Sequence, residues 1–181
     1  MRVRLDLLLD CPADAAWEAV HSPAVFREVS GPITTAESLE PGGFPDRWPG
    51  GEHRVRLRML GVLPMGTQVI RLRDETRLDG TRVVHDEGGP LSGAMTVVTG
   101  WHHQMAISPN PMSPETRTRF HDTLDVRAGL LTPFAWLGFA VFWRLRGRQI
   151  QKLAPGWAAQ FGASPTGAAG SGESTAAGGA A

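Results

Sequence analysis

The fold is decided by residues 84–126, which read VHDEGGPLSGAMTVVTGWHHQMAISPNPMSPETRTRFHDTLDV. Apolar and polar residues alternate on both sides of the Pro-rich loop at 108–115, a period of two that is typical of half-buried strands. A strongly apolar segment, residues 130–153, follows at once and is long enough for a helix. Together these segments predict a hollow α+β domain, in which a C-terminal helix closes the concave side of a sheet.

The preceding part of the chain supports this architecture. Residues 3–9 alternate as a strand, and Pro12 and Ser22-Pro23 each open a short helix, because Pro suits a first helical turn and Ser is a favoured N-cap. A hairpin turn is predicted at Asp79-Gly80. Further strands are predicted at 33–39, 53–60, 67–78, 81–87, 95–107 and 116–127. Consecutive hairpins, with helices grouped at the ends, predict an α+β fold with a curved antiparallel sheet of about six to seven strands.

Composition narrows the classes of function. The 18 basic and 18 acidic residues balance, which argues against nucleic acid as a partner. Cys11 is the single cysteine, so no intramolecular disulfide is possible. The longest uncharged run, 128–143, is too short for a transmembrane span, and the first residues lack a signal-peptide pattern. These features predict a cytoplasmic protein with one domain at 1–160 and a disordered Ala/Gly/Ser-rich tail at 161–181.

The hairpin on either side of the Pro-rich loop contains the candidate site. A loop centred near residue 111 or 112 predicts that Trp101 lies opposite Asp122, with His103 one step along the same buried face. Asp122 would then accept hydrogen bonds from Trp101 and His103. Three interpretations stay open: structural pairing of a buried carboxylate, a polar patch that orients a ligand, or acid–base catalysis by His103 or Asp122.

Histidines are frequent around this hairpin, but their spacing does not indicate a metal. His85, His102, His103 and His121 match no recognised ligand pattern. The predicted register also turns His102 and His121 toward solvent. We therefore expect no metal site, and no motif indicates a cofactor.

The C-terminal helix is predicted to begin near Pro133 and to end at Ala154-Pro155-Gly156. Five apolar residues at helical spacing predict the face that packs on the sheet: Phe134, Leu137, Val141, Leu145 and Leu153. Three aromatic residues lie on another face, where the short helices, a second subunit or a membrane surface could cover them: Trp136, Phe139 and Trp143. The basic residues just beyond suit a helix end or an interfacial anchor: Arg144, Arg146, Arg148 and Lys152.

The layout resembles the START/Bet v 1-like (SRPBCC) superfamily, and in particular its polyketide cyclase/dehydrase-like bacterial branch. The resemblance covers about residues 1–157 and is carried by Asp86, Gly89-Pro90, Trp101-His102-His103, Thr118 and Asp122. The spacing from Gly89-Pro90 to Trp101 is several residues longer than usual. The resemblance implies a helix-grip fold with a ligand cavity between the sheet and the C-terminal helix.

The expected function is binding or carriage of a small hydrophobic molecule or lipid, rather than catalysis. Gly138 would leave room for the ligand, because it has no side chain. Twelve residues are predicted to contact the ligand: Val55, Leu57, Met59, Trp101, His103, Met105, Phe120, Asp122, Phe134, Leu137, Gly138 and Val141. One alternative is a polyketide aromatase/cyclase that uses His103 or Asp122 to move protons in the same pocket. Another is a module that docks on a partner, as a homodimer or at a membrane surface through Trp136, Phe139 and Trp143.

Overall fold

The computed structural model describes residues 1–31 and 33–162. The elements follow in the order β1 (Arg2–Leu9), α1 (Ala13–Val20), α2 (Pro23–Ser30), β2 (Thr34–Ser38), β3 (Gly51–Met59), β4 (Leu63–Thr76), β5 (Arg82–Asp86), β6 (Gly89–Pro90), β7 (Gly100–Pro109), β8 (Thr118–Arg127) and α3 (Thr132–Phe161). From residue 163 onward, the predicted tail lies outside the described residues.

The strands form one antiparallel sheet in the order β1-β8-β7-β5-β4-β3-β2, and the two-residue strand β6 pairs with β4. The predicted α+β class is confirmed, with an open antiparallel sheet, two short helices after the first strand and a long C-terminal helix. Residues of β8 alternate between buried and accessible positions, as expected for a sheet with helices on one face only.

The two short helices begin where the sequence predicts. Pro12 is the residue before α1, and the Ser22 side chain accepts a hydrogen bond of 3.4 Å from the Val25 backbone N–H at the start of α2. Ala15, Ala16 and Ala19 of α1 are fully buried. Their small side chains let α1 lie close to the rest of the core.

Helix α3 does not end at Ala154-Pro155-Gly156, as predicted, but continues through Pro155 to Phe161. A proline inside a helix removes one backbone hydrogen bond. Burial of Ala154 and Trp157 on either side of it stabilises the continued helix. Within the described part of the chain, no helix has both the length and the apolar character that a membrane crossing requires.

The predicted orientation of α3 is also wrong. Trp143 is only 3% exposed and packs in a buried cluster with Val3, Leu124 and Val126, whereas Phe134 is 75% exposed and Leu137 57%. Both faces have helical periodicity, so periodicity cannot choose between them. Large aromatic side chains bury more area, and each Trp needs a hydrogen-bond acceptor when it is covered.

Much of the aromatic face of α3 is covered by the sheet of the same chain. Trp136 donates a hydrogen bond of 2.8 Å from Nε1 to the Arg2 carbonyl oxygen of β1. Trp136 and Phe139 are partly buried against the same cluster as Trp143. These contacts favour cover within the chain itself, and docking of the partly buried Trp136 and Phe139 on a partner stays a prediction.

The predicted strand at 95–107 begins later, at Gly100, and a 3-10 turn at Ala94–Val97 precedes it. Gly93 enters this turn with φ 77° and passes so close to β4 that a Cβ there would lie 2.5 Å from the Met65 carbonyl oxygen. A glycine is required at such a backbone approach. The extra residues before Trp101 thus form a turn that packs on β4.

Candidate functional site

A cavity of about 420 Å³ lies between the helix-covered face of the sheet and α3. Its lining is mostly apolar and draws on residues of β3, β4 and β7 as well as of all three helices. Six side chains add polar groups to the lining: Ser30, Thr34, Gln68, Asp86, His103 and Arg146. Four apolar lining residues are also exposed and mark where the cavity opens to solvent: Met59, Val97, Val141 and Leu145.

The structure brings eight of the twelve predicted contact residues together around this cavity. These are Leu57, Met59, Trp101, His103, Met105, Phe120, Gly138 and Val141. Whether they contact a ligand remains a prediction.

The other four predicted residues do not line the cavity. Val55 is enclosed within the main core, and Asp122 is covered by its own hydrogen-bond donors. Phe134 and Leu137 lie on the exposed face of α3, because the aromatic face is the one that packs on the sheet.

Asp122 is fully buried and is bound by three side chains. Its Oδ1 accepts hydrogen bonds from His103 Nε2 at 2.7 Å and from Trp143 Nε1 at 2.8 Å. Its Oδ2 accepts from a guanidinium nitrogen of Arg146 at 2.5 Å. Arg146 belongs to α3 and Asp122 to β8, so this ion pair joins the helix to the sheet at the wall of the cavity.

The ionisation of Asp122 follows from these contacts. Burial alone would raise its pKa, but the charges of His103 and Arg146, together with hydrogen bonds from His103 and Trp143, lower it to about 2. Because an acid–base catalyst works best with a pKa near the working pH, Asp122 suits a structural role better than proton transfer. A carboxylate only accepts, so His103 Nε2 carries the proton, and Nδ1 has no protein partner among the residues described.

The free energy of unfolding should depend on pH through the ionisation of the Asp122 carboxylate. The folded pKa lies below the value of an unfolded Asp, about 3.8, so the contribution of Asp122 is fully present above that pH and is lost as the pH falls toward 2. We expect a loss of about 2 kcal/mol from this group across the interval, on the order of 1.4 kcal/mol per pKa unit. Urea denaturation at pH 5, 4, 3 and 2.5 measures it. Asp122→Asn should show a smaller decline, and identical profiles would contradict the prediction.

The predicted hairpin register is wrong by four residues. Asp122 lies opposite Met105, and Trp101 lies opposite Val126, because the turn is centred between residues 113 and 114 rather than at 111 or 112. Four is an even number, so every side chain keeps its predicted face. Trp101 still lies inside, but it donates to Asp86 Oδ2 at 3.3 Å rather than to Asp122.

Asp86 holds the backbone at the end of β5. Its Oδ1 accepts hydrogen bonds from the backbone N–H of Arg71 at 2.9 Å and of Gly88 at 3.0 Å. A Cβ at Gly88 would lie 1.9 Å from the Val69 carbonyl oxygen, so only glycine fits where the chain turns back toward β4. The Asp86 and Gly89-Pro90 motif therefore supports the wall of the cavity.

Thr118 and Cys11 connect β8 to the start of the first helix. The Thr118 hydroxyl donates a hydrogen bond of 2.7 Å to the Cys11 carbonyl oxygen, and both residues are buried. Burial raises the pKa of the Cys11 thiol to about 11. The thiol therefore stays protonated at neutral pH and has little nucleophilic character.

Arg146, Trp143 and Gln68 were not predicted as residues of the site. Arg146 was grouped with Arg144, Arg148 and Lys152 as basic residues that suit a helix end or an interfacial anchor, whereas the structure buries Arg146 and exposes Arg144 and Arg148. Arg146 shares a helical stripe with Trp143 and Ile150, however, and this spacing would have identified it once that face was chosen. Gln68 lies in a run of three consecutive buried residues of β4, where alternation gives no signal.

No protein-family model matches the sequence, and a search of curated proteins found no match. The fold nevertheless has clear relatives among solved structures. A protein from Arthrobacter aurescens is 13% identical, with a TM-score of 0.60, over 84% of this chain and 85% of its own. A protein from Chromobacterium violaceum is 12% identical, with a TM-score of 0.55, over 85% of this chain and 97% of its own.

A third relative is the Aha1 dimer from Colwellia psychrerythraea, which is 8% identical with a TM-score of 0.53. It is matched over 86% of this chain and 96% of its own. At such identities the likeness establishes a shared fold and carries no information about ligand or activity. An antiparallel sheet with a long C-terminal helix is compatible with a helix-grip fold.

Proposed function

We propose that this chain binds a small hydrophobic molecule or lipid in the cavity beneath α3, as an SRPBCC-type helix-grip protein would. The observation that carries the proposal is the cavity itself, with about 420 Å³ of mostly apolar space. This volume falls within the range of about 300–1,000 Å³ that is common for small-molecule sites. Burial of apolar ligand surface, at about 25 cal/mol per Å², would supply most of the binding free energy.

Two polar groups are available to orient the ligand. The Gln68 side chain is 7% exposed, lines the cavity and has no hydrogen-bond partner among the described residues. His103 Nδ1 is similarly unpaired, since Nε2 is committed to Asp122. Both groups keep surface that a bound molecule can reach, because no fully buried side-chain nitrogen or oxygen among the described residues lacks a hydrogen-bond partner. A ligand with a hydroxyl or carbonyl group beside its apolar body would satisfy such positions.

Narrowing the cavity mouth should weaken binding. Gly138 lines the cavity, and a Cβ there meets no atom within 4 Å. We expect Gly138→Trp to weaken binding of the apolar fluorophore anilinonaphthalene sulfonate at least about tenfold, or about 1.4 kcal/mol. Native mass spectrometry of both proteins should also show a co-purifying compound in the wild type at higher occupancy.

Gly156→Trp provides the matched control. Gly156 is in the same helix, is exposed and also has open space around it, but it does not line the cavity. Binding equal to the wild type is expected for this variant. Equal binding by the Gly138 and Gly156 variants would contradict the proposal.

The alternative of a polyketide aromatase/cyclase would use the same cavity. It has less support, because Asp122 is held by three donors and has a pKa of about 2. His103 would then be the group that exchanges a proton with the substrate, through Nδ1. An enzyme would lose turnover in His103→Ala while still binding, whereas a carrier would show only altered affinity or stability.

A further inference from the structure

Three potential metal ligands meet on the face of the sheet opposite the cavity. Because His103 faces the cavity, the neighbouring residues His102 and Gln104 point to the other face. The register pairs His85 with Gln104 and Asp86 with His103, so Glu87 follows at the position beside His102. One donor atom from each of His85, Glu87 and His102 lies within 4.8 Å of the other two.

His85 is fixed in the orientation that a metal ligand needs. Its side chain is 5% exposed, and its Nε2 lies 2.8 Å from Glu75 Oε2. The carboxylate can only accept, so Nε2 carries the proton and Nδ1 of the neutral ring presents a lone pair. A carboxylate that orients a histidine in this way is typical around metal ions.

The rings of His85 and His102 lie nearly parallel, with centroids 5.8 Å apart, and one side chain contacts both. The Gln104 side-chain nitrogen lies 3.3 Å from His85 Nδ1 and 3.2 Å from His102 Nε2. An amide nitrogen only donates, so both ring nitrogens act as acceptors toward it. The amide hydrogens thus place partial positive charge between the two ring nitrogens, and a cation bound by both would displace this amide.

We propose that His85, Glu87 and His102 bind a divalent transition-metal cation, with Zn²⁺ as the best match. Two imidazoles and one carboxylate suit zinc, which accepts three protein ligands and a water molecule. Tetrahedral zinc ligands lie about 3.4 Å apart, given metal–ligand bonds of about 2.0–2.1 Å. The His102 and Glu87 side chains are 39% and 47% exposed and are free to turn inward, while His85 stays in place.

Neighbouring charged residues do not prevent the His102 and Glu87 side chains from turning toward a metal ion. The Arg73 guanidinium lies 3.8 Å from Glu87 Oε1 and 3.8 Å from Glu75 Oε2, but its side chain is 54% exposed. Such exposed pairs contribute little, so Arg73 is displaced at small cost. Asp125 lies opposite His102 on β8, where Arg2 already holds both of its carboxylate oxygens.

Zinc titration of the tag-free, chelator-treated protein tests the site. Isothermal calorimetry with zinc chloride should give one site per chain, and addition of Zn²⁺ should raise the Tm. Glu75→Gln should weaken binding by about 10–100-fold, because it removes the residue that positions His85. His102→Ala should weaken it more, because it removes a ligand. The absorption spectrum with Co²⁺ should show the intense bands of tetrahedral coordination, and His102→Ala should lose them.

His121→Ala is the control, because His121 is an exposed histidine on the same face of the sheet, paired with Asp6. It should bind Zn²⁺ like the wild type, and all metal-free variants should match the wild-type circular dichroism spectrum. The inference is overturned if the wild type shows no single-site binding, if His102→Ala binds as well as the wild type, or if His121→Ala loses binding equally. None of these outcomes bears on the cavity.

Discussion

Asp122→Asn is expected to lower the free energy of unfolding by about 3–5 kcal/mol, because it leaves the Arg146 charge buried without its counterion. Arg146 is 9% exposed, and Asp122 is its only carboxylate partner among the residues described. The substitution preserves shape, so lost packing does not account for the effect. Urea denaturation at pH 7, followed by circular dichroism, gives the difference between variant and wild type.

Two further variants distinguish the loss of the buried ion pair from a general effect of removing a charge. Asp125→Asn breaks the exposed pair with Arg2 and should cost less than about 1 kcal/mol. The double variant Asp122→Asn/Arg146→Met removes both charges and should recover part of the loss, since an apolar replacement no longer strands a cation. Equal losses for Asp122→Asn and Asp125→Asn would show that burial of the pair is unimportant.

Phe120→Ala is expected to destabilise the protein by about 3–5 kcal/mol. Phe120 is 1% exposed, belongs to the main core and forms part of the cavity wall. Removing its ring forfeits buried apolar area and enlarges the cavity, because the surrounding strands are held by sheet hydrogen bonds and cannot collapse into the space. The same denaturation experiment measures the change in stability.

Phe134→Ala is the matched control, since Phe134 is 75% exposed on α3. It should change stability by no more than about 0.5 kcal/mol. A bulky apolar fluorophore should bind Phe120→Ala at least as well as the wild type when both are compared at a temperature where the variant is folded. A loss of stability at position 134 as large as that at 120 would contradict the assignment of the core.

The strands and the fold class were predictable because a period of two is a local signal. The antiparallel character of the sheet followed from consecutive hairpins, although the pairing of β1 with β8 was not predicted. The helix starts at Ser22-Pro23 and Pro133 followed from local chemistry. The residues inside the sheet could be predicted for the same reason. Even with the register wrong by four, Trp101 and His103 remained on the buried face.

The partners of buried polar groups were not predictable, because they depend on pairings between distant segments. Asp122 meets Trp143 and Arg146 only after the correct face of α3 has been chosen, and the two faces are similar in apolar periodicity. The proximity of His85, Glu87 and His102 could not be predicted either. It depends on the pairing of β5 with β7, which are separated in sequence by residues 87–99. The loops that set such registers have no periodic pattern of their own.

The rim of the cavity has a consequence for how this protein can diversify. Gly138, Val141 and Leu145 border the opening and are largely free of core packing, while the Asp122–Arg146 pair secures the helix on its inner side. Substitutions at the rim can therefore alter which molecules enter, with little penalty for folding. Selection or engineering can therefore change which molecules enter the cavity while the sheet and the Asp122–Arg146 pair stay the same.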